Sequence, residues 1–480
     1  MDSEALQHYL SDDSRRARAA DDAHVGAAGG APCGDLVSVS LSLNDKKLDA
    51  RFETEGCASA QAAGAAVAEL ADGAAPLDAA LITPADVEDA LGGLTPQGRH
   101  AAELAADALH RALAGLAGSG RRLAEPPASG ERVLVALSGG VDSSVAALLE
   151  RDRGAEVVGV TVKLWADRRT DAAKSCCSPL AVLGARGLAH SLGIPHLTLD
   201  LEDVFRDRVV GAFVDGYRAG RTPNPCVLCN GEVRIDAMLD LAERLGCAGL
   251  ATGHYARVAD DGAGPLLAAA ADPAKDQAYM LSALRTGSLA RLRFPLAELT
   301  KPEVREIAAR AGLSVAKKPE SQDLCFLAGE GKRSFLARHA GLGERPGEIV
   351  DRKGRRLGRH RGHHHFTVGQ RRGLGVGSHE PLYVLETDAE RNRIVVGARD
   401  QLAADEVRVR SATLHRPGGR VDRVRLRYHA RPIGCSMPAV PAGEHGELTL
   451  ELDQPAYGIA PGQTASLLDG ELVVGHATIA

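Results

Sequence analysis

Apolar and polar residues alternate along 36–43 (LVSVSLSL), the period-two pattern of a strand with one buried face. The Ala-rich segments 58–71 and 100–115 read as helices, so the first part of the chain predicts an α+β unit. Residues 118–130 (GSGRRLAEPPASG) then have the Gly, Ser and Pro content of an interdomain linker. Next comes a short apolar run, 133–137, a Gly-rich turn and a helix starting near Asp142. A second apolar run, 157–162, and further helical stretches follow, which predicts βαβ units on a parallel sheet. From about residue 345 the texture changes to short β-like runs (YVLE, RIVVG, EVRVR, RVRLRY, GELTLEL, ELVVG) set off by Gly and Pro. That pattern predicts an all-β tail closing into a small barrel.

At 480 residues the chain exceeds one ordinary core, and length alone suggests about three domains. No apolar run approaches the roughly 20 residues that span a bilayer. The opening stretch MDSEALQHYLSDDSRRARAADD lacks the apolar core of a secretory signal. Nine cysteines without a regular framework fit a reducing compartment, so the expected location is cytoplasmic, with thiols available for chemistry or metal. The net charge of −6 is unevenly spread: residues 1–110 hold 19 acidic and 7 basic side chains, the rest 44 and 50. An RNA partner therefore suits the body, not the head. Two basic clusters, 351–372 with eight Lys/Arg and 406–431 with eight Arg, suit contact with an RNA backbone. The histidines His363, His364 and His365 beside the first cluster read as metal-free surface.

The most specific segment is 133–144, VLVALSGGVDSS. Its strand ends at Leu137, and Ser138, Gly139 and Gly140 let the backbone approach a ligand. The N–H groups at the helix start then form an anion site. Ser138 and Ser143 can add hydrogen bonds to phosphate, while Asp142 can hold Mg²⁺ or cap the helix. Neither a dinucleotide G-x-G-x-x-G nor a P-loop G-x-x-x-x-G-K-[ST] is present. The segment resembles the SGGxDS loop of the PP-loop ATPases. That resemblance implies ATP bound at Ala136, Leu137, Ser138, Gly139, Gly140, Val141, Asp142 and Ser143, and cleaved between its α and β phosphates to adenylate a substrate oxygen.

Cys226 and Cys229 lie in GRTPNPCVLCN (220–230) and Cys325 in KPESQDLCF (318–326). Prolines fix the approach to each thiol, so both segments read as stiffened loops. With ATGHYAR (251–257), KDQAYML (275–281), FTVGQRRGLG (366–375) and APGQ (460–463), they resemble the tRNA-specific 2-thiouridylase family from about residue 131 onward. The vicinal Cys176–Cys177 also fits, with no assigned role. The resemblance implies that Cys325 carries a persulfide and that Cys229 is its partner, the two ending as a disulfide that is later reduced. It implies that Asn224, Pro225 and Cys226 meet the target base, and that His254, Lys275, Asp276, Gln277, Arg427, Tyr428 and Gln463 meet tRNA. Val162 and Gly253 would lie on the adenine side of ATP. Many relatives have Asp where this chain has Cys226, and the extra thiol leaves a second route open: Cys226, Cys229 and Cys325 ligating a [4Fe–4S] cluster with sulfide on its fourth iron.

In the head, APCGD (31–35) and EGCA (55–58) resemble the NifU/IscU-type iron–sulfur scaffold. Cys33, Asp35 and Cys57 match its ligand positions, but the third cysteine is Ala101; His100 would have to complete a zinc or iron–sulfur site. The head is then expected to dock a cysteine desulfurase or relay its sulfur. The resemblances imply a multidomain chain: a NifU-like α+β head (1–117), a linker (118–130), and an α/β PP-loop domain of the adenine nucleotide alpha hydrolase-like type (131–335). A small β-rich central tRNA-binding domain (336–400) and a C-terminal β-barrel (401–480) complete it. The expected activity is ATP-dependent 2-thiolation of the wobble uridine, with no membrane association. Two alternatives remain at this stage: another PP-loop amidotransferase or ligase, which needs no paired thiols, and a non-enzymatic iron–sulfur scaffold.

Overall fold

The computed structural model describes residues 3–17, 20–30, 34–96, 98–167, 178–319, 324–327 and 329–480. Cys33, Cys176 and Cys177 lie outside them. Three antiparallel strands, His24–Gly29, Leu36–Asn44 and Lys47–Glu55, form the head's sheet in that order. Val37, Val39, Leu41 and Leu43 point from the middle strand into the core, as the alternation predicts. The helices Ala58–Ala71 and Arg99–Gly118 cover that face. Their alanines add little bulk, so helix and sheet approach closely.

The next unit is a five-stranded parallel sheet. Its order is Leu292–Arg293, Gly249–Thr252, Arg132–Ala136, Glu156–Lys163, His196–Asp200. The first strand in sequence, Arg132–Ala136, lies between the second, Glu156–Lys163, and the fourth, Gly249–Thr252. Strand order therefore reverses at its C-terminal end, where sheets of this kind open a ligand crevice. Val133 and Val135 face helices Val141–Asp152 and Pro179–Ser191, whereas Leu134, Val158, Val160, Leu197 and Leu199 face the other way, into a core shared with the head.

The head is thus packed onto the sheet rather than tethered beside it. Arg186 bonds Asp107 at 2.8 Å, and the rings of His110 and His190 lie 5.3 Å apart. Both contacts advance in the same sense along helices Arg99–Gly118 and Pro179–Ser191, so the two helices run parallel. Arg99–Gly118 therefore starts on the side of the sheet's C-terminal edge. Segment 118–130 is also pinned: Leu123 N–H donates to the Arg244 carbonyl, and its side chain is buried.

A four-stranded sheet (Arg356–His360, Gly347–Val350, Arg393–Gly397, Tyr383–Asp388) makes the central unit, around Ile349, Phe366, Val384 and Ile394. Six strands then close a barrel, with Ala403–Leu414 pairing both Gly443–Tyr457 and Leu472–Ile479. A hairpin of the parallel-sheet unit, Arg257–Asp260 and Pro265–Ala268, extends the barrel sheet through Leu472–Ile479. At its tip Asp261 accepts from Arg416 at 2.7 and 3.0 Å and also pairs with Arg420. These guanidinium partners hold its carboxyl well below the usual carboxylate range. No described helix is long and apolar enough to cross a membrane.

Candidate active site

The strand Arg132–Ala136 delivers the chain to Leu137, whose N–H donates to Val160 O at 2.7 Å and whose carbonyl accepts from Thr161 Oγ1 at 2.9 Å. Gly139 then adopts φ +67°, a conformation costly for residues with a Cβ. The Ser143 hydroxyl closes the turn from inside, accepting from Ser138 N–H at 3.1 Å and donating to Gly140 O at 3.1 Å. Ser138 stays exposed at the mouth. Across the crevice, Gly253 lies against the start of helix Val141–Asp152. A Cβ there would sit 2.6 Å from Ser143 N and 2.7 Å from Asp142 C. Val162, half-buried, belongs to the neighbouring strand.

Asp142 neither caps the helix nor stands open to a metal. Lys301 Nζ donates to both of its carboxylate oxygens at 2.7 Å, and the Tyr255 hydroxyl donates to one at 2.9 Å. Lys318 Nζ donates to the Gly139 carbonyl at 2.8 Å, which ties the stem of the Cys325 segment to the loop.

Cys226 and Cys229 sit on a short helix, Pro225–Cys229, rather than on a loop. Pro225 takes its first position, where no N–H is needed, and Asn224 caps it by accepting from Val227 N–H at 3.3 Å. A π-helical turn, Asn230–Arg234, follows directly. Cys229 is 7% exposed within an apolar cluster that includes Phe205, Phe213, Phe326 and Phe335. Cys325, half-buried, packs on the same cluster, as does Val162. The fold therefore places both distant thiols on one apolar cluster, which also reaches Val162 on the strand next to the glycine turn.

A polar chain links the cysteine helix to the crevice. Arg234 donates to Asn230 Oδ1 at 2.6 Å and to His254 Nε2 at 3.0 Å, and His254 Nδ1 lies 2.9 Å from Thr252 Oγ1. Since arginine can only donate, His254 Nε2 is the acceptor and the proton sits on Nδ1. Burial and the Arg234 charge push the imidazole pKa down, consistent with that neutral form.

The residues expected at tRNA divide into surface groups and internal struts. Arg427 is exposed, and Tyr428 stacks on Tyr279 with ring centroids 6.2 Å apart. Tyr279 interacts with Asn224 and donates to Thr464 O at 2.9 Å. Lys275 is half-buried. Asp276, by contrast, is turned inward: it accepts from Arg425 at 2.7 Å and from Ala270 and Ala278 N–H. Gln277 accepts from Tyr255 N–H at 3.0 Å, and Gln463 donates to Thr222 O at 2.8 Å, fixing the approach to Asn224 and Pro225. Lys301, Lys318, Arg234, Tyr255 and Tyr279 had no assigned role in the sequence reading; each meets a site residue far from it along the chain.

In the head, Asp35 Oδ1 accepts from Cys57 N–H at 2.7 Å and its Oδ2 lies 3.3 Å from the exposed Cys57 Sγ. Among the described residues, His100 is not at single-ion spacing from both Asp35 and Cys57. Its ring faces Glu103 at 3.6 Å in the exposed first turn of its helix, and Ala101, where the scaffold's third cysteine would be, is buried. Among the described residues the three side chains that converge at single-ion spacing are Asp167, Glu330 and His339, and Arg338 already pairs with both carboxylates. His363 and His364, expected at the surface, are buried.

Family models match successive parts of the chain: a NifU-like N-terminal domain over 2–120, a tRNA methyl transferase HUP domain over 131–329, its PRC-barrel domain over 333–398 and an aminomethyltransferase β-barrel domain over 399–479. The bifunctional protein NifU/MnmA of Rubrobacter xylanophilus is 46% identical over 470 residues, covering 95% of this chain and 94% of that protein. The tRNA-specific 2-thiouridylase MnmA of Acidithiobacillus ferrooxidans is 43% identical over 354 residues, covering 73% of this chain and 98% of its own length. With these relatives spanning both the head and the body, the chain belongs to the bifunctional NifU/MnmA family.

Proposed function

We propose that this protein is a tRNA uridine 2-sulfurtransferase, which activates the wobble uridine (U34) with ATP and replaces its 2-oxygen by sulfur. The observation that carries the reading is that Cys229 and Cys325, far apart in sequence, belong to one apolar cluster that also takes in Val162, with Lys318 tying the Cys325 segment to Gly139. An amidotransferase would have no use for that pair.

ATP phosphates lie on the N–H groups of the turn 138–143, and the uridine enters past Asn224 and Pro225. Its 2-oxygen attacks the α phosphorus and pyrophosphate leaves. Adenylation makes that oxygen a good leaving group. The outer sulfur of a Cys325 persulfide then bonds to C2, and AMP departs. Attack of the Cys229 thiolate on the Cys325 sulfur breaks the S–S bond and releases the thiolated base. The resulting Cys229–Cys325 disulfide needs an external thiol reductant before the next turnover. Asp142 is occupied by Lys301 and Tyr255, so it does not fit a protein-held Mg²⁺; any such ion travels with the phosphates.

A second reading rests on one feature, the thiol at Cys226. Cys226 lies three residues before Cys229 on the same short helix, and with Cys325 these thiols would suit a [4Fe–4S] cluster, which would supply bound sulfide in place of a persulfide. For the head we infer a role in receiving a sulfur donor, a cysteine desulfurase or relay protein. Support comes from the helix Arg99–Gly118, which starts on the same side of the sheet as the nucleotide turn.

Protein, ATP, tRNA, a sulfane-sulfur donor such as cysteine with a cysteine desulfurase, and a thiol reductant should yield AMP, pyrophosphate and 2-thiouridine in equal amounts. Cys229→Ser and Cys325→Ser should each abolish thiolation while ATP still binds. Nitrogen incorporation, or thiolation surviving both substitutions, would overturn the reading. Iron content and absorbance near 400 nm after anaerobic purification separate cluster from persulfide.

A further inference from the structure

The run 157–162 of strand Glu156–Lys163 holds one polar side chain among apolar neighbours, Thr161, and it is only 2% exposed. Next to it, on the edge strand His196–Asp200, His196 is 1% exposed. Buried polar groups persist in a core where hydrogen bonds compensate them. Thr161 Oγ1 lies 2.9 Å from the Leu137 carbonyl oxygen and 2.8 Å from His196 Nε2. A carbonyl can only accept, so the threonine proton goes to Leu137 and the imidazole donates from Nε2. Burial lowers the imidazole pKa, in keeping with a neutral ring. Gly159, the partner of His196 in the sheet register, leaves the room this needs. A Cβ there would lie 2.7 Å from Leu137 Cδ1 and 3.4 Å from His196 Cδ2. His196 is also fixed at the seam with the head, where its N–H, at 3.4 Å, and His190 Nε2, at 3.0 Å, share the Ala80 carbonyl.

The Leu137 carbonyl and the Ser138 N–H belong to a single peptide plane. Thr161 holds the first, and Ser143 Oγ accepts from the second at 3.1 Å before donating to Gly140 O at 3.1 Å. Hydrogen bonds therefore run in one direction from His196 through Thr161 to the first peptide of the glycine turn, and on through Ser143 to Gly140. Without the threonine hydroxyl, nothing on the strand side stops that peptide from rotating, and the Ser138 N–H would leave Ser143 with it.

We propose that Thr161 and His196 are positioning residues for ATP: they set the tilt of peptide 137–138, and so the aim of the N–H groups that the turn 138–143 offers to phosphate. The inference rests on the reading of that turn as the ATP cradle. Both side chains act through Leu137, since each is buried and spent on the other.

The test compares the full chain with Thr161→Val, Thr161→Ser and Val158→Ala in tRNA-dependent AMP formation, varying ATP and tRNA separately. Valine keeps the shape and removes the bridge, so KM for ATP should rise about tenfold, the scale of one buried hydrogen bond lost, with KM for tRNA unchanged. Serine restores the hydroxyl and should bring KM for ATP back to within about twofold of the wild type. Val158→Ala weakens the same strand on its opposite face, toward the core shared with the head, and should leave KM for ATP as it was. Melting curves establish which variants fold. If Thr161→Val does not, His196→Leu, which removes the outer donor, is read in its place. A wild-type KM for ATP in the variant without the bridge overturns the proposal. So does an equal rise in Val158→Ala, because the loss would then follow stability rather than the aim of the turn. A wild-type protein that neither binds ATP nor forms AMP would instead bring down the functional reading together with this one.

Discussion

Gly253→Ala tests the packing that shapes the nucleotide crevice. The added Cβ would lie 2.6 Å from Ser143 N and 2.7 Å from the Asp142 carbonyl carbon, both backbone atoms at the start of a helix. Ordinary contact requires about 3.4 Å, so strand end and helix start must separate by about 0.8 Å. Overpacking of this kind costs about 1–3 kcal/mol. The functional cost should be larger, because the displaced atoms belong to the turn proposed to cradle phosphate. A misplacement near 1 Å lowers the rate of a positioned reaction by about 10²-fold. Gly140→Ala is the control. Its Cβ would meet only Ser138 Oγ at 3.4 Å, and its φ of −101° suits any residue, so the fold should tolerate it. ATP affinity by calorimetry and tRNA-dependent AMP formation are the readouts, with thermal midpoints alongside. We expect Gly253→Ala to lose midpoint and AMP formation together. Gly140→Ala should keep its midpoint, and any loss of ATP binding then reports close approach of the ligand. A Gly253→Ala protein that forms AMP at the wild-type rate would refute the reasoning.

Asp142→Asn should cost about 1–3 kcal/mol in urea denaturation, because the 8% exposed Lys301 loses its bidentate carboxylate; an unchanged midpoint would mean that solvent already screens the pair. Residues 121–480 alone should lose at least about 3 kcal/mol, since Leu197 and Leu199 face the head and each is worth about 1.5 kcal/mol. Dye binding to the uncovered face should accompany this, and a truncated chain as stable as the whole would show the head to be merely tethered. At the seam, burial pushes His196 down to about 3 and lowers His110 and His190 as well, with the Arg186 charge adding to each. The unfolded chain binds these protons first, so stability is full above about pH 6.5 and falls as pH drops toward 3. His196 alone should account for about 2 kcal/mol between pH 8 and 5, and His196→Gln should flatten that slope; an equal slope in the variant would exclude it as a source.

What the sequence made legible follows the range of the forces involved. Alternation at 36–43, the alanine-rich helices, and the strand, glycine turn and helix at 133–144 are local signals, and the elements form where those signals stand. RVRLRY reads as one strand, yet pairing stops at Arg425, and Tyr428 stacks on Tyr279, with His429 at φ +60°. The hairpin Arg257–Ala268 joins a barrel whose other strands begin some 140 residues later, a pairing that no window of sequence contains. The histidines 363–365 look solvated beside their arginines, but His363 and His364 are buried.

The site was half visible for a similar reason. Glycines and thiols announce themselves by type, because few other residues can do their work. Lysines and arginines do not. Lys301 meets Asp142 across 159 residues and Lys318 meets Gly139 across 179, yet in sequence both look like ordinary surface charge. The same ambiguity applies to Asp276. Its place in a KDQ run implies contact with RNA, but Arg425 and two backbone N–H groups consume its acceptors. A carboxylate so occupied would repel a phosphate if freed, so its use lies in holding the loop 275–277 against the barrel. Of the residues expected at tRNA on this surface, Lys275 and Arg427 are the cations proposed to meet the substrate. Asp276→Asn should therefore weaken tRNA binding by loosening the loop, with no change in salt slope. A change in that slope comparable to one lost phosphate contact would mean that the charge balance of this surface, rather than its rigidity, sets affinity.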